Sequence, residues 1–212
     1  MTAPNFIHLR IHSDFSMVDG LAKVGPICEA VADAGMPALA MTDQMNFCGL
    51  VRYYGTAHKL GLKPIIGCDL WVQHCYPEGE IFRLTALAMD NEGYQQITQL
   101  MSKAYLRGHI ADKPVIDKDW LKEHNQGVIL LSGAREGDIG HALLKNNDKE
   151  LDAALDFYQE YFPDRFYLEL IRTGRPKEED YLHKAVKLAG ETQLPVVATN
   201  EVVFLKEENF DA

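Results

Sequence analysis

Basic residues are in short supply in this chain: 21 Lys plus Arg stand against 31 Asp plus Glu, a formal net charge of −10 at pH 7. A domain that grips nucleic acid with its own surface is usually basic, because its affinity comes from neutralised phosphates. This composition repels phosphate on average. It leaves two routes to nucleic acid, a local basic groove or a basic surface elsewhere in a larger parent protein. Cysteine is sparse as well: Cys28, Cys48, Cys68 and Cys75, with no C-x-x-C pair. That argues against a zinc knuckle or a dithiol redox motif and fits free thiols in a reducing compartment. No apolar run approaches the ~20 residues needed to span a bilayer. The start MTAPNF lacks the basic-then-apolar order of an export signal, so a cytoplasmic protein with no membrane partner is expected. No Gly-rich loop follows the first apolar run, which weakens a nucleotide-binding open sheet. No G-x-S-x-G elbow or other nucleophile motif is present.

What is there is ordinary globular material, 47% apolar and 25% charged, long enough for one large domain. The chain alternates strand-like and helix-like stretches. FIHLRIH, PALAMTD, KPIIGCDLWVQH, IFRLTALAM, GVILLSG, RFYLELIRTG and LPVVATN read as seven strands. VGPICEAVADAG, CGLVRYYGTAHKLG, the stretch from about Glu92 to Arg107, two pieces ending about Tyr161, and KEEDYLHKAVKLAGE read as helices. Such alternation predicts an α/β fold with a mainly parallel sheet, either open and doubly wound or closed as a barrel.

Polar residues gather where strands end: His12, Asp43 with Gln44, Asp69, Arg172 with Thr173, and Asn200 with Glu201. In parallel α/β folds that end is the functional face. In the first strand His8, Arg10 and His12 alternate and so share one face. Two histidines there could begin a metal site, but the guanidinium between them has no lone pair to give a metal.

Taken in order, HLRIHSDFSMVDG, PALAMTDQMNFCGL, KPIIGCDL, LSGAREGD, FYLELIRTGRP and PVVATNEVVF resemble the polymerase and histidinol phosphatase (PHP) domain family. Within it they are similar to the N-terminal domains of DNA polymerase III alpha subunits of the gammaproteobacterial type. The resemblance implies a distorted seven-stranded (β/α) barrel covering residues 1–212. It also implies an N-terminal fragment of a much longer polymerase chain, ending before the last part of the domain.

Metal-binding members hold a metal cluster in histidines and carboxylates at the barrel mouth, and the resemblance carries those positions over residue by residue. The H-x-H of the first strand falls on Arg10 and His12, and a further ligand on Asp19. The T-D-H after the second strand falls on Thr42, Asp43 and Gln44. The glutamate ending the third strand is Asp69, and a histidine of the fourth strand is Arg83. A histidine after LELI is matched by Thr173, and the final D-x-H falls on Glu201 and Val203. His8, Asp43 and Arg172 are the expected surrounding network. Most imidazoles are thus replaced, and Arg10 and Arg83 would repel a divalent cation from a site that normally wants several imidazoles. Guanidiniums can neutralise the carboxylates left behind and bond them bidentately. The expectation is a dismantled metal site refilled by ion pairs, with no metal and no catalytic residue here.

By the same resemblance, the parent chain performs template-directed DNA synthesis with Mg in an active site outside these residues. The domain is expected to dock the proofreading exonuclease (epsilon) subunit. Other replicase subunits and DNA are reached through the rest of the parent. The rival is a retained metal-dependent phosphoesterase or pyrophosphatase. Among the remaining features, His58, His124, His141 and His183 are expected on solvated helix faces. His74 and Cys75 have no visible partner pair. Asp138 is expected to cap or begin a helix, with anion binding by LSGAREGD as the alternative. The arginines of RTGRPKEED are expected to pair with barrel-mouth carboxylates, with phosphate binding as the alternative.

Overall fold

The computed structural model describes residues 6–17, 19–73 and 79–209; His74 and Cys75 lie outside them. The chain divides into two compact units, residues 1–68 with 200–212, and residues 69–199.

In the first unit, helix α1 (Val24–Asp33) buries Val24, Ile27, Cys28 and Val31. That i, i+3, i+4, i+7 spacing is one apolar stripe. Pro26 is tolerated because it sits in the first turn, where its missing N–H is not needed. Strand β1 (Ala38–Met41) follows, then α2 (Leu50–Lys59) and the start of β2 (Lys63–Gln73). β1 and β2 pair in parallel from Ala38↔Lys63 to Met41↔Ile66. Tyr53 of α2 is fully buried; its hydroxyl donates to Leu39 O (2.5 Å) and accepts from Ile65 N (3.1 Å). One side chain thus ties α2 to both strands.

The opening FIHLRIH is extended but not a continuous strand. It makes isolated bridges, His8↔Leu39 and Ile11↔Val202, with Ser13↔Ala22 just beyond. Its hydrogen bonds alternate between two neighbours: Ala40 N–H donates to His8 O, while His12 N–H donates to Val202 O.

The second unit carries the end of β2, then β3 (Ile81–Ala88) and α3 (Asn91–Arg107). A small hairpin of β4 (His109–Ile110) and β5 (Lys113–Pro114) leads to β6 (Ile116–Asp117) and α4 (Trp120–Glu123). Next come β7 (Val128–Leu131), a 3-10 turn (Ala134–Glu136), α5 (Asp138–Lys145) and α6 (Asp148–Tyr161). β8 (Phe166–Leu170), α7 (Glu178–Thr192) and β9 (Val196–Ala198) complete it. β7–β8 and β8–β9 pair in parallel, as does the short β2–β6 contact, whereas β3–β7 is antiparallel.

The expected α/β fold with mainly parallel strands is therefore present. Among the described residues the larger sheet has seven strands; β6, paired with the end of β2, is one of them, and the opening stretch is not. β6 is two residues long, too short for period-2 alternation to register.

Candidate functional site

The residues expected at the site divide between the two units. In the first, Arg10 is 1% exposed, and its Nη2 lies 3.6 Å from Glu201 Oε1. His12 is fully buried; its Nδ1–H donates to both oxygens of Asp19 (2.8 and 2.9 Å). Asp19 Oδ1 also accepts from the Ser16 hydroxyl (2.8 Å), and Ser16 Oγ in turn accepts from Gln44 N–H (3.2 Å). The loop after His12 is thereby closed on itself. Gly20 is required there, since a Cβ would lie 1.8 Å from Ser13 O.

Asp43 is buried and accepts from Ser13 N–H (2.6 Å) and from the Ser13 hydroxyl (2.9 and 2.8 Å). Burial pushes its carboxyl above the usual range; the Ser13 hydrogen bonds and the His12 field offset this only in part. Val203, partly buried, accepts from Leu21 N–H through its backbone oxygen (2.8 Å). His8 packs edge-on against Phe6, and burial lowers its imidazole pKa.

In the second unit, Arg83 and Thr85 sit at alternate positions of β3 and so share a face. Both reach Asp69 at the middle of β2, which is fully buried. Arg83 Nε is 3.2 Å from Asp69 Oδ2, and the Thr85 hydroxyl donates to Oδ1. Arg83 Nη1 also donates to Glu136 (3.1 Å), and its guanidinium lies over the Trp71 ring, 5.4 Å from the centroid. Glu136 further receives Arg135 (3.1 Å) and, at 3.9 Å, Arg175.

Thr173 and Arg172 are exposed and serve the start of α7. Thr173 donates its N–H and hydroxyl to Glu178 (both 2.7 Å), and Gly174 and Arg175 add their N–H groups (2.7 and 3.0 Å). Burial by itself would raise the Glu178 pKa, but the Thr173, Arg175 and Gly174 donors outweigh it and hold the carboxyl below the usual range. Arg172 pairs with Glu179 at the surface (2.7 Å).

Several polar groups escaped the sequence reading. Glu169 is fully buried in β8 and accepts from the Thr199 hydroxyl (2.5 Å). A charged residue inside the apolar run FYLEL was the available signal. Asp138 does begin α5, as expected, but it also receives Lys118 Nζ (2.6 Å) and the Tyr158 hydroxyl (2.9 Å), all three buried. Nothing in IDKDW marks Lys118 as interior. His58 and His183 are exposed, whereas His124 and His141 are partly buried and hold Gln96 (2.8 Å) and Glu80 (3.0 Å) through Nδ1.

Among the described residues no group of three or more His, Cys, Asp or Glu is arranged to hold a metal ion. The donor set does not suit one either. Asp69 and Glu201 each have a guanidinium against them, Asp43 is engaged by Ser13, and Asp19 by His12 and Ser16. No helix among those residues is long and apolar enough to cross a membrane.

A family model described as the PHP domain matches residues 8–173. Over 212 residues the chain is 58% identical to DNA polymerase III subunit alpha of Vibrio cholerae and 56% identical to that of Escherichia coli. Each match takes in 100% of this chain but 18% of the relative, so the chain spans less than a fifth of these proteins. Among solved structures, a two-domain protein from Bacteroides vulgatus, containing a predicted PHP-like metal-dependent phosphoesterase, superposes with a TM-score of 0.60. It shares 15% identity, over 97% of this chain and 54% of that one, which is a likeness of fold.

Proposed function

The chain belongs to the PHP domain family, and from that premise we propose that residues 1–212 are the PHP domain of a replicative DNA polymerase alpha subunit whose metal site has been dismantled. In this reading Arg10, His12, Asp19, Gln44, Asp69, Arg83, Thr173, Glu201 and Val203 are the remains of the ligand set. His8, Asp43 and Arg172 surround them. The observation that carries it is the pairing of Arg83 with Asp69 at 3.2 Å, and of Arg10 with Glu201 at 3.6 Å. Each cation stands against a buried carboxylate that a metal would otherwise neutralise, and a buried ionised carboxylate is costly unless it is paired or hydrogen-bonded.

The domain then acts as a structural module on which the proofreading exonuclease subunit docks. The parent chain carries DNA-directed DNA synthesis, with Mg, in residues beyond these. The rival reading, a metal-dependent phosphoesterase or pyrophosphatase, needs imidazole ligands at Arg10, Gln44, Arg83 and Val203. Elemental analysis after chelator treatment and incubation with Zn²⁺ or Mn²⁺ separates the two. The proposal expects metal far below one equivalent, and stoichiometric metal with phosphatase activity would establish the rival. Co-purification with the exonuclease subunit tests the docking role.

A further inference from the structure

Helix α2 buries one face, through Tyr53 and Ala57, in the core of the first unit. Its other face carries Val51, Tyr54, Gly55 and His58, at i, i+3, i+4 and i+7, and so presents a second stripe along the same helix. Val51 is 86% exposed and Tyr54 53%, with the His58 ring edge-on to Tyr54 (centroids 6.2 Å apart). Single apolar residues on a surface are ordinary, whereas several at helical spacing are the pattern by which helices seat on a partner.

The 13–20 loop lies beside the first turn of this helix. The Phe15 ring stands 2.8 Å from where a Cβ on Gly49 would be, and the Arg52 guanidinium lies over that ring, 5.6 Å from its centroid. Asn46 donates to Phe15 O (3.1 Å). Two residues further, Met17 is 91% exposed. The loop is held in shape by the bonds of Asp43 to Ser13 and of Asp19 to His12 and Ser16. Groups at the proposed vestigial ligand positions thus fix the loop that carries Met17.

Gly55 is the odd residue in the stripe. A Cβ there meets nothing within 4 Å, so alanine would fit and would favour the helix. Packing within the chain therefore does not call for glycine. In the middle of an exposed stripe it lets a second helix come close, since the distance between helix axes is set by the side chains at the contact. The flanks are cationic. Arg52, Lys59 and Lys63 are exposed, and no Asp or Glu occurs from Leu50 to Lys63, in a chain of net charge −10. Such flanks complement acidic side chains and repel basic ones.

We propose that the outer face of α2, with Met17 beside it, seats one amphipathic helix with acidic flanks from the proofreading exonuclease subunit. The inference rests on the docking role proposed above and gives it a place. Val51, Tyr54 and Met17 supply the apolar contact, Gly55 lets the two helices approach, and Arg52 and Lys59 face acidic groups at the rim.

Titration calorimetry of the 212-residue chain with the purified exonuclease subunit tests this. Gly55→Leu projects into open space, so its Tm should not fall while affinity drops about tenfold or more. Gly190→Leu, the same change at an open position of α7, should bind as wild type. Met17→Ser combined with Val51→Ser should lose about tenfold, and Lys59→Glu about threefold or more. If the wild-type chain binds and either Gly55→Leu or the double serine variant keeps its affinity, the face is overturned while the docking role stands. An equal loss in Gly190→Leu also overturns the face, and wild-type affinity in Lys59→Glu overturns the acidic partner. If the wild-type chain does not bind, the face and the docking role fall together. Should Gly55→Leu lose its far-UV circular dichroism, the double serine variant decides by the same criterion.

Discussion

Replacing Arg10 with Ala removes the cation beside Glu201 while leaving the carboxylate in place. The Arg10 and Glu201 side chains are 2% and 7% exposed, so water cannot take over the role of the guanidinium. Breaking a buried pair by deleting one partner costs about 3–5 kcal/mol, because the other charge is left uncompensated. For a chain of this size each kcal/mol is worth about 2–4 °C, which puts the expected fall in Tm at about 6–20 °C. Arg10→Lys keeps the charge but loses the planar fork and should fall between Arg10→Ala and wild type. Arg10→Met combined with Glu201→Leu removes both charges at similar volume and should recover most of the loss, since apolar residues often replace a buried pair at little cost. Thermal melts of the four proteins at neutral pH, followed by circular dichroism, give the answer. If Arg10→Ala melts with wild type, or if the double variant melts as low as Arg10→Ala, the guanidinium is not compensating a buried carboxylate and the reasoning fails.

Changing Arg10, Gln44, Arg83 and Val203 together to His should restore Zn²⁺ or Mn²⁺ binding in calorimetric titration, because Asp19, Asp69 and Glu201 are still present; a folded variant that binds no more than wild type would mean the scaffold no longer supports the site. Glu178→Gln should cost about 1–3 kcal/mol in chemical denaturation by weakening four hydrogen bonds to one carboxylate. The Glu178 pKa is lowered by folding, so its contribution is present above its unfolded value of about 4.3 and is lost as the pH falls through the folded one. The gap between wild type and Glu178→Gln should accordingly be widest at neutral pH and close in acid; a gap that widens in acid would contradict the assignment. Gly20→Ala puts a methyl 1.8 Å from Ser13 O and should lower the unfolding free energy by about 1–3 kcal/mol as the 13–20 loop opens; an unshifted denaturation midpoint would show that the loop is not closed.

How far the site could be read in advance differed from residue to residue. Thr173 illustrates the limit. Its place after a strand suggested a site position, yet its donors go to Glu178, five residues along the chain, as part of a helix start. Position at a strand end says where a side chain begins, not which acceptor it finds. Glu136 shows the converse: nothing in LSGAREGD singles it out, yet it receives Arg83 from 53 residues away, with Arg135 and Arg175 close by.

The sequence by itself determined the class of the fold, because α1, α3, α6 and α7 carry apolar stripes that need no distant partner to be recognised, α3 and α6 are capped by the neighbouring Asp90 and Asn147, and β1, β3, β7 and β8 are apolar runs. That positions 10, 44, 83 and 203 carry Arg, Gln, Arg and Val rather than imidazoles is likewise a matter of residue identity alone. Tertiary structure decided the rest. Whether FIHLRIH became a strand depended on which backbone groups lay beside it, and they turned out to be those of β1 on one side and Val202 on the other. Whether Lys118 was a solvated charge or an interior one depended on Asp138 and Tyr158, brought to it from α5 and α6. A hydrogen bond or an ion pair is a property of two groups held at about 3 Å; the chain order names each group separately, and only folding brings them to that distance.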